Sequence, residues 1–163
     1  MTTAIEVDLR GIILDRFKTA PLSELLQLSE PAAKQLPLIQ TRYEIVDDDV
    51  VLDRSTGLMW ARDYVPGGQR DWQSSIDAAA KLDLRGWKWR APTVQEQLSI
   101  VDYERRDPAF DTSVFRGNSS WVWTSTPLAQ SPFYAWLVYF SDGSSSWGNR
   151  SGGGFVRAVR VGQ

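Results

Sequence analysis

Two short runs of aromatic and β-branched residues near the C-terminus are expected to form strands. They are residues 136–140 (WLVYF) and residues 155–161 (FVRAVRV), and side chains of these types suit the half-buried surface of a sheet. The connection between the runs consists mainly of serine, glycine and asparagine, which favour loops. This pattern predicts a rigid pair of strands that presents a loop on the surface, where binding residues commonly concentrate. An ordinary surface hairpin has the same composition, so the pattern alone leaves both interpretations open.

Missing residue types restrict the chemistry that this chain can carry out. Among its 163 residues there is no cysteine and no histidine, which removes disulfides, a thiolate nucleophile, the commonest general base and the commonest metal ligand. The net charge of −2 does not provide the positive field that phosphate backbones require. We therefore expect no cofactor, no metal ion, no nucleic-acid partner and no catalytic residues. An enzyme built on this chain would depend on carboxylates such as those of residues 47–49 or of Asp102 with Glu104.

The N-terminal quarter of the chain differs in character from the rest. Residues 1–42 contain none of the eight tryptophans, and we expect them to form an N-terminal arm or docking segment through which the chain could assemble into a homo-oligomer. Residues 43–163 are expected to form the ligand-binding domain. Residues 1–18 lack the continuous apolar stretch of a signal peptide or a membrane span. We therefore expect no membrane span, and a location in the cytoplasm or in a phage particle.

Local signals predict a hairpin followed by a helix. Residues 50–52 and 58–60 have the composition of strands, and they flank a turn. Asp71 suits the N-cap of a helix over residues 72–82. Gly86 suits the left-handed residue that commonly ends such a helix.

A second helix and another strand are predicted further along the chain. Thr93 should begin the helix, because Glu96 follows it with the spacing of a capping box. The polar connection over residues 103–120 should be held by three apolar anchors, which are Phe110, Val114 and Phe115. Residues 121–126 (WVWTST) then have the composition of a strand.

Tryptophan and arginine side chains are expected to contribute much of the core. Four tryptophans stand in hydrophobic patterns and are predicted to be buried: Trp60, Trp72, Trp89 and Trp123. Three arginines stand beside aromatic or β-branched residues and are predicted to be buried partners of carboxylates: Arg90, Arg157 and Arg160. Trp147 has only serine, glycine and asparagine around it, so it either anchors a ligand or folds back over the loop.

Seven segments occur in the order seen in one known family. They are residues 56–60 (TGLMW), 71–72 (DW), 89–93 (WRAPT), 100–102 (IVD), 124–127 (TSTP), 135–143 (AWLVYFSDG) and 155–160 (FVRAVR). On these segments, residues 43–161 resemble the Lcl C-terminal-like domain family, which is named after a collagen-like adhesin. The resemblance implies a C-type-lectin-like α+β fold with two helices packed on a twisted antiparallel sheet. A collagen-like repeat and the calcium-binding EPN and WND motifs are missing, so calcium-dependent sugar binding is not implied.

The C-terminal stretch also resembles the variable region of a diversity-generating retroelement, in which adenine-directed mutagenesis rewrites asparagine codons. The resemblance implies a constant framework of Ala135, Trp136, Val138, Phe140, Gly143, Arg150 and residues 155–160. The positions interleaved with this framework are Leu137, Tyr139, Ser141, Asp142, Ser144, Ser146, Gly148, Asn149, Ser151, Gly152 and Gly153. Each of these residue types can be reached from an AAC codon by changes at adenine, whereas Trp147 cannot. Alternation along a strand would turn the framework side chains inward and the changeable ones outward.

We therefore predict a receptor-type protein that displays a variable surface to a protein or a glycan. The predicted ligand-binding residues are Tyr134, Leu137, Tyr139, Ser141, Asp142, Ser144, Ser146, Gly148, Asn149, Ser151 and Gly152. One alternative is a constant, adhesin-like domain that binds a carbohydrate or a glycosaminoglycan. A carboxylate-based enzyme and a structural component of a particle are further alternatives.

Overall fold

Seven strands and two helices make up the regular structure of residues 41–162, the part of the chain that the computed structural model describes. Residues 1–40, which hold most of the predicted N-terminal arm, lie outside the described residues. The strands form two antiparallel sheets. The fold is therefore α+β with two helices, as expected, but it has two sheets where the resemblance implied one.

The first sheet contains four strands in the order β1-β2-β3-β7. Their bounds are β1 Tyr43–Ile45, β2 Val50–Asp53, β3 Leu58–Tyr64 and β7 Arg157–Val161. The predicted hairpin forms β2 and β3, and Gly57 in its turn has a φ of +70°, a left-handed conformation that favours glycine. Val51 pairs with Trp60, and Trp60 pairs with Val159. These three side chains share one face of the sheet and are completely buried.

The second sheet contains three strands, with β5 in the middle. Their bounds are β4 Trp121–Pro127, β5 Tyr134–Tyr139 and β6 Ser144–Asn149. The prediction of a loop throughout the Ser/Gly-rich connection is wrong over β6. Ladder hydrogen bonds join backbone groups, so a serine-rich segment forms a strand once a neighbour such as β5 lies beside it. The runs 136–140 and 155–161 consequently belong to different sheets rather than to one pair.

Both helices begin where their caps predict. They are α1 Trp72–Ala80 and α2 Val94–Ser99. The side chain of Asp71 accepts a hydrogen bond from the first turn of α1, and Thr93 forms the predicted capping box with Glu96. However, α1 ends two residues before the predicted residue 82. Gly86 has a left-handed φ of +67°, but it lies in the turn that follows α1 rather than at the end of the helix.

An aromatic core joins the first sheet to the second. The three predicted anchors of the polar connection, Phe110, Val114 and Phe115, are all buried. Phe115 meets Trp60 of β3 edge to face with ring centroids 6.4 Å apart, and Phe110 meets Phe140 after β5 at 5.2 Å. Such pairs contribute about 0.5–1.5 kcal/mol beyond the area that they bury. Of the predicted core tryptophans, Trp60, Trp89 and Trp123 are buried and Trp72 is partly buried.

The three arginines have three different environments. Arg90 forms the expected ion pair, with two hydrogen bonds of 2.7 and 2.6 Å to the carboxylate of Glu96. Arg157 is completely buried, but backbone carbonyl oxygens rather than carboxylates accept its hydrogen bonds: those of Ala61, Arg62 and Arg116. Arg160 places its guanidinium 4.4 Å from the centroid of the Trp87 ring. The predicted carboxylate partner is therefore confirmed for Arg90, but its side chain is exposed and not buried as predicted. The prediction is wrong for Arg157, whose pKa is lowered by its burial, and for Arg160, which contacts the Trp87 ring instead.

Replacing Arg157 by leucine should lower the free energy of unfolding by about 3 kcal/mol or more. The carbonyls of Ala61 and Arg116 would lose this donor, and each buried acceptor left unsatisfied costs about 1–3 kcal/mol, while the carbonyl of Arg62 would keep the backbone N–H of Arg116. Lysine should not restore the loss, since its ammonium group cannot reproduce the planar fork of guanidinium donors. The measurement is urea denaturation. Arg160→Leu is the matched control, because it loses a cation–π contact worth about 0.5–1 kcal/mol. An equally small loss for Arg157→Leu would contradict this account.

The end of β2 carries a buried carboxylate. Asp53 is completely buried and accepts hydrogen bonds from Arg42 at 2.7 and 3.1 Å and from the backbone and hydroxyl of Ser55 at 3.0 and 2.6 Å. Burial by itself raises the pKa of Asp53, but the hydrogen bonds from Arg42 and Ser55 outweigh that effect. The pKa of Asp53 therefore lies below its ordinary value.

Protonation of the Asp53 carboxylate should make the protein less stable in acid. Its pKa is lower in the folded than in the unfolded chain, so it stabilises the fold above its unfolded pKa of about 3.9. That contribution is lost as the pH falls through the folded pKa. Asp53→Asn should be less stable at neutral pH and should lose less stability than the wild type between about pH 5 and pH 2.

Urea midpoints measured across this pH range test the prediction. Asp49→Asn is the control, because its exposed carboxylate is outside the ion pairs found among residues 41–162. If the Asp53→Asn and wild-type curves ran parallel, the assignment of the acid dependence to Asp53 would be refuted.

Candidate functional site

One face of the second sheet carries rows of side chains from all three strands. Trp123 of β4, Leu137 of β5 and Ser146 of β6 lie opposite one another, because Trp123 pairs with Leu137 and Leu137 with Ser146. Directly opposite residues of antiparallel strands share a face. In the adjoining row Trp121 and Tyr139 stack with ring centroids 4.5 Å apart. We call this surface the β4–β6 face.

A pocket of about 260 Å³ opens on the β4–β6 face. It is lined by Trp121, Trp123, Leu137, Ser146, Trp147, Gly148, Asn149, Gly152 and Gly153. Trp123 and Leu137 are only 1% and 6% exposed, so they form the bottom of the pocket. None of the lining side chains is ionisable. The pocket is therefore a neutral site with aromatic and apolar groups below and small polar groups around.

Gly148 and Gly154 pack their backbones closely against the bottom of the pocket. A Cβ atom at position 148 would lie 2.8 Å from Cδ1 of Leu137 and 3.4 Å from Cη2 of Trp123. A Cβ atom at position 154 would lie 2.8 Å from the indole of Trp123. Leu137 and Trp123 already fill the space that a side chain would need at these two positions, so the close packing requires glycine.

The connection after β6 is held by hydrogen bonds from both sides. The Oδ1 atom of Asn149 accepts hydrogen bonds from the backbone N and the hydroxyl of Ser151, at 3.0 and 2.9 Å. Arg70 and Gly154 exchange two backbone hydrogen bonds of 3.0 Å each, and the carbonyl of Arg70 also accepts the indole N–H of Trp123 at 3.1 Å. Arg150 lies over the ring of Trp72, 4.1 Å from its centroid. The rim of the pocket is therefore built on fixed backbone.

The turn between β5 and β6 is also specified locally. Gly143 has a φ of +81°, and a side chain there would collide with Val101. Asp142 accepts a hydrogen bond of 2.9 Å from the backbone N of Ser144, and hydrogen bonds from Ser144 lower the pKa of Asp142. The hydroxyl of Ser141 donates to Asp107.

The structure brings together five of the eleven predicted site residues at the pocket. These are Leu137, Ser146, Gly148, Asn149 and Gly152. Tyr139 and Ser144 lie on the same face in the row of Trp121, while Ser141 and Asp142 lie in the turn. Ser151 is exposed next to the rim. Tyr134 pairs with Asn149. Successive side chains of a strand point to opposite faces, so Tyr134 lies on the face of β5 opposite to that of Ala135 and Leu137.

Leu137 differs from the outward-pointing side chain that alternation predicts. Its strand lies between two others, and Leu137 packs in a small cluster with Trp123, Ala135 and Trp72. The side chain points to the β4–β6 face as expected, but α1 and the β6 connection cover that part of the face. It therefore forms the bottom of the pocket and is not freely exposed.

Four pocket residues were not predicted as site residues: Trp121, Trp123, Trp147 and Gly153. Trp121 and Trp123 have the two-residue spacing that puts them on one face of a strand, but only the pairing of β4 with β5 shows that this is the face of Leu137. Trp147 has features of both interpretations left open above. It is 56% exposed, as an anchor would be, and its ring meets Trp136 edge to face at 6.2 Å.

The acidic clusters considered for catalysis are engaged in turns and ion pairs. Asp47 accepts backbone hydrogen bonds from Asp49 and Val50 and pairs with Arg85 at 2.7 Å. A larger depression of about 730 Å³ includes Asp102 and Glu104 in its lining, but Asp102 pairs with Arg105 at 2.9 Å. Within residues 41–162, no group of acidic side chains converges as a metal site would require. Neither helix there is long and apolar enough to cross a membrane.

Comparison with known proteins identifies the family. A model of the Lcl C-terminal domain family matches residues 49–160, which include β2 and β3, both helices, the whole second sheet and most of β7. No curated protein matches the sequence. The matched range covers more than two thirds of the chain and every residue of the pocket. The chain therefore belongs to the Lcl C-terminal domain family.

Proposed function

We propose that this protein binds another macromolecule through the β4–β6 face, and that a retroelement diversifies this surface on a C-type-lectin-like scaffold. The observation that carries the proposal is the separation of two kinds of position along residues 135–153. Most framework positions are buried in the fold, with Trp136 and Arg150 partly buried, and the interleaved positions are mostly at the surface. Such a separation allows the contact surface to change without loss of the fold.

In β5 and the turn after it, four framework positions are buried. Ala135, Val138 and Phe140 are completely buried, and Gly143 is buried against Val101. Seven interleaved positions are instead exposed or line the pocket with room for a side chain: Asp142, Ser144, Ser146, Asn149, Ser151, Gly152 and Gly153. Gly148 is not one of them, because a Cβ there would overlap Leu137. Surface substitutions away from special features usually change stability by no more than about 0.5 kcal/mol. Variation at these positions is therefore compatible with a constant core.

The composition of the face suits recognition by contact. Tyrosine, serine, glycine and asparagine predominate in antibody-like binding surfaces, because they combine large ring contacts with adaptable hydrogen bonding. The β4–β6 face uses these types together with Trp121. Membership of a family named after an adhesin also favours binding over bond-breaking. A carboxylate enzyme would need acids that converge in a pocket, whereas Asp47 and Asp102 are paired with arginines.

A constant, adhesin-like domain is the second candidate. Trp147 favours it, because this exposed ring stands among the interleaved positions and yet cannot arise from an AAC codon by changes at adenine. In a diversified protein Trp147 would be a constant exposed side chain next to the variable positions, packed on Trp136. The two candidates therefore differ in whether the codons of the interleaved positions change between generations. They do not differ in the structure of the present chain.

Sequencing of the DNA around the gene separates the two candidates. The proposal predicts a reverse transcriptase gene and a near-copy of the codons for residues 135–160 that differs from them only at adenines. Reads from a growing population should then differ at the codons of the interleaved positions, and the codons of Ala135, Val138 and Phe140 should stay constant. A gene with no near-copy and no variation would rule out diversification and leave the constant domain.

A further inference from the structure

We infer that two copies of this chain join by antiparallel pairing of their β6 strands, with Ser146 of each copy at the two-fold axis. The second sheets of the two copies would then form one continuous sheet that carries two β4–β6 faces. This inference goes beyond the proposed function and does not depend on it, because it concerns the edge of the second sheet and not the ligand of its face.

The strand β6 is the open edge of the second sheet. The other edge strand, β4, is covered by Phe155, which exchanges backbone hydrogen bonds of 2.8 and 2.9 Å with Trp123 and Trp121. The residues that the structure describes place no strand on the outer side of β6. Exposed edges usually carry a charged residue, a proline or a bulge that prevents further pairing. Ser144–Asn149 contains none of these and pairs with β5 without interruption, so this edge remains able to accept another strand.

The backbone groups of Ser145 and Trp147 point away from β5. Arg150 donates its backbone N–H to the carbonyl of Phe133 at 2.9 Å, so these two residues form a hydrogen-bonded pair. Such pairs alternate with non-hydrogen-bonded pairs along an antiparallel ladder, and Ser145, Trp147 and Asn149 therefore direct their N–H and C=O groups outward. The carbonyl of Asn149 already accepts a hydrogen bond of 2.8 Å from the connection after β6. On this side, no backbone group among residues 41–162 meets those of Ser145 and Trp147.

One symmetric register joins all of these free groups to one another. When Ser146 faces Ser146 of the second copy, Ser145 of each copy lies opposite Trp147 of the other, and each such pair exchanges two hydrogen bonds. A register centred on Trp147 would instead place Ser145 opposite Asn149, whose carbonyl is already occupied. The free groups of β6 therefore complement a second β6 in this register.

The side chains at this edge are also complementary. Asp142 is exposed in the turn before β6, and Arg150 follows the last residue of β6, so the register brings opposite charges together at both ends of the paired strands. Trp147 is 56% exposed. Its ring would cover Ser145 of the second copy and lie diagonally opposite the second Trp147, at the spacing of about 7–8 Å that aromatic rings can bridge. This complementarity favours a second copy of the chain over an unrelated strand.

The pairing would change how a ligand meets the protein. Opposite residues of antiparallel strands share a face, so both β4–β6 faces would lie on the same side of the joined sheet. A ligand with a repeated structure could contact both faces at once, and its second contact would be intramolecular, which raises the overall affinity without any new contact residue.

Analytical ultracentrifugation of the full chain over a range of concentrations should show a reversible equilibrium between monomer and dimer. Ser145→Pro should raise the dissociation constant about tenfold or more, because it removes half of the main-chain hydrogen bonds between the copies. Proline suits this position, since the N–H that it removes points away from β5. Ser145→Thr is the matched control, because it keeps the N–H and should dimerise like the wild type.

Cysteine substitutions test the register. The chain has no cysteine, so Ser146→Cys introduces a single thiol. Directly opposite residues of a non-hydrogen-bonded pair have Cα atoms about 4.5 Å apart, which is within the reach of a disulfide, so oxidation should give a covalent dimer on a non-reducing gel. Ser144→Cys is the matched control, because the two copies of residue 144 would lie about 14 Å apart and should not be linked.

Several results would overturn the inference. A monomer at every concentration is one, and a dimer that Ser145→Pro leaves unchanged is another, because it would arise elsewhere in the chain. Equal cross-linking of Ser144→Cys and Ser146→Cys would contradict the register. A monomer whose β6 edge binds an extended peptide, with loss of that binding in Ser145→Pro, would assign the edge to a different partner. If Ser145→Pro does not fold, the two cysteine variants decide.

Discussion

The two-residue alternation of β5, held between β4 and β6, is the constraint on which the rest of this structure depends. Backbone hydrogen bonds to both neighbours hold this strand in register, and they do so whichever side chains it carries. Val138 is therefore directed into the core beside Val122, while Leu137 and Tyr139 point to the β4–β6 face. A shift of one residue would exchange the two sets, so the buried framework also fixes the position of every side chain on the face.

The two sheets are joined by backbone as well as by side chains, which gives the surface a rigid base. Phe155, just before β7, accepts a hydrogen bond of 2.8 Å from the backbone N of Trp123 and donates one of 2.9 Å to the carbonyl of Trp121. Arg157 then ties β7 to the carbonyl oxygens at the middle of β3 and to that of Arg116. The protein has no cysteine, so these bonds and the aromatic core provide the cross-links that disulfides supply in other small binding domains.

Local signals were sufficient for much of the fold. The caps at Asp71 and Thr93 predicted the start of both helices, and β-branched and aromatic runs predicted most strands, because these features act within a few residues of each other. They were not sufficient for β6, whose serines have no strand preference and form a strand because β5 lies beside them. The sequence predicts a carboxylate partner for Arg157, and this is wrong. Its three carbonyl acceptors belong to β3 and to Arg116, which are too far away in sequence for local patterns to reveal them.

The same distinction applies to the candidate site. Composition marks the Ser/Gly-rich stretch, and six of its residues do line the pocket. The pocket itself depends on the pairing of β4 with β5, which places Trp121 and Trp123 beside Leu137 and cannot be inferred from spacing along one strand. The role of Gly148 is likewise invisible in sequence, because it arises from the distance between its backbone and the side chain of Leu137.

The most direct measurement compares the free energy of unfolding of Val138→Asn and Tyr139→Asn, which place the same residue at neighbouring positions of β5. Val138 is completely buried, so its replacement should cost about 3–4 kcal/mol through lost apolar contacts and a buried amide. Tyr139 loses a ring that stacks on Trp121 at the surface, and its replacement should cost less than about 1.5 kcal/mol. Equal losses at the two positions would contradict a constant core that carries a replaceable surface.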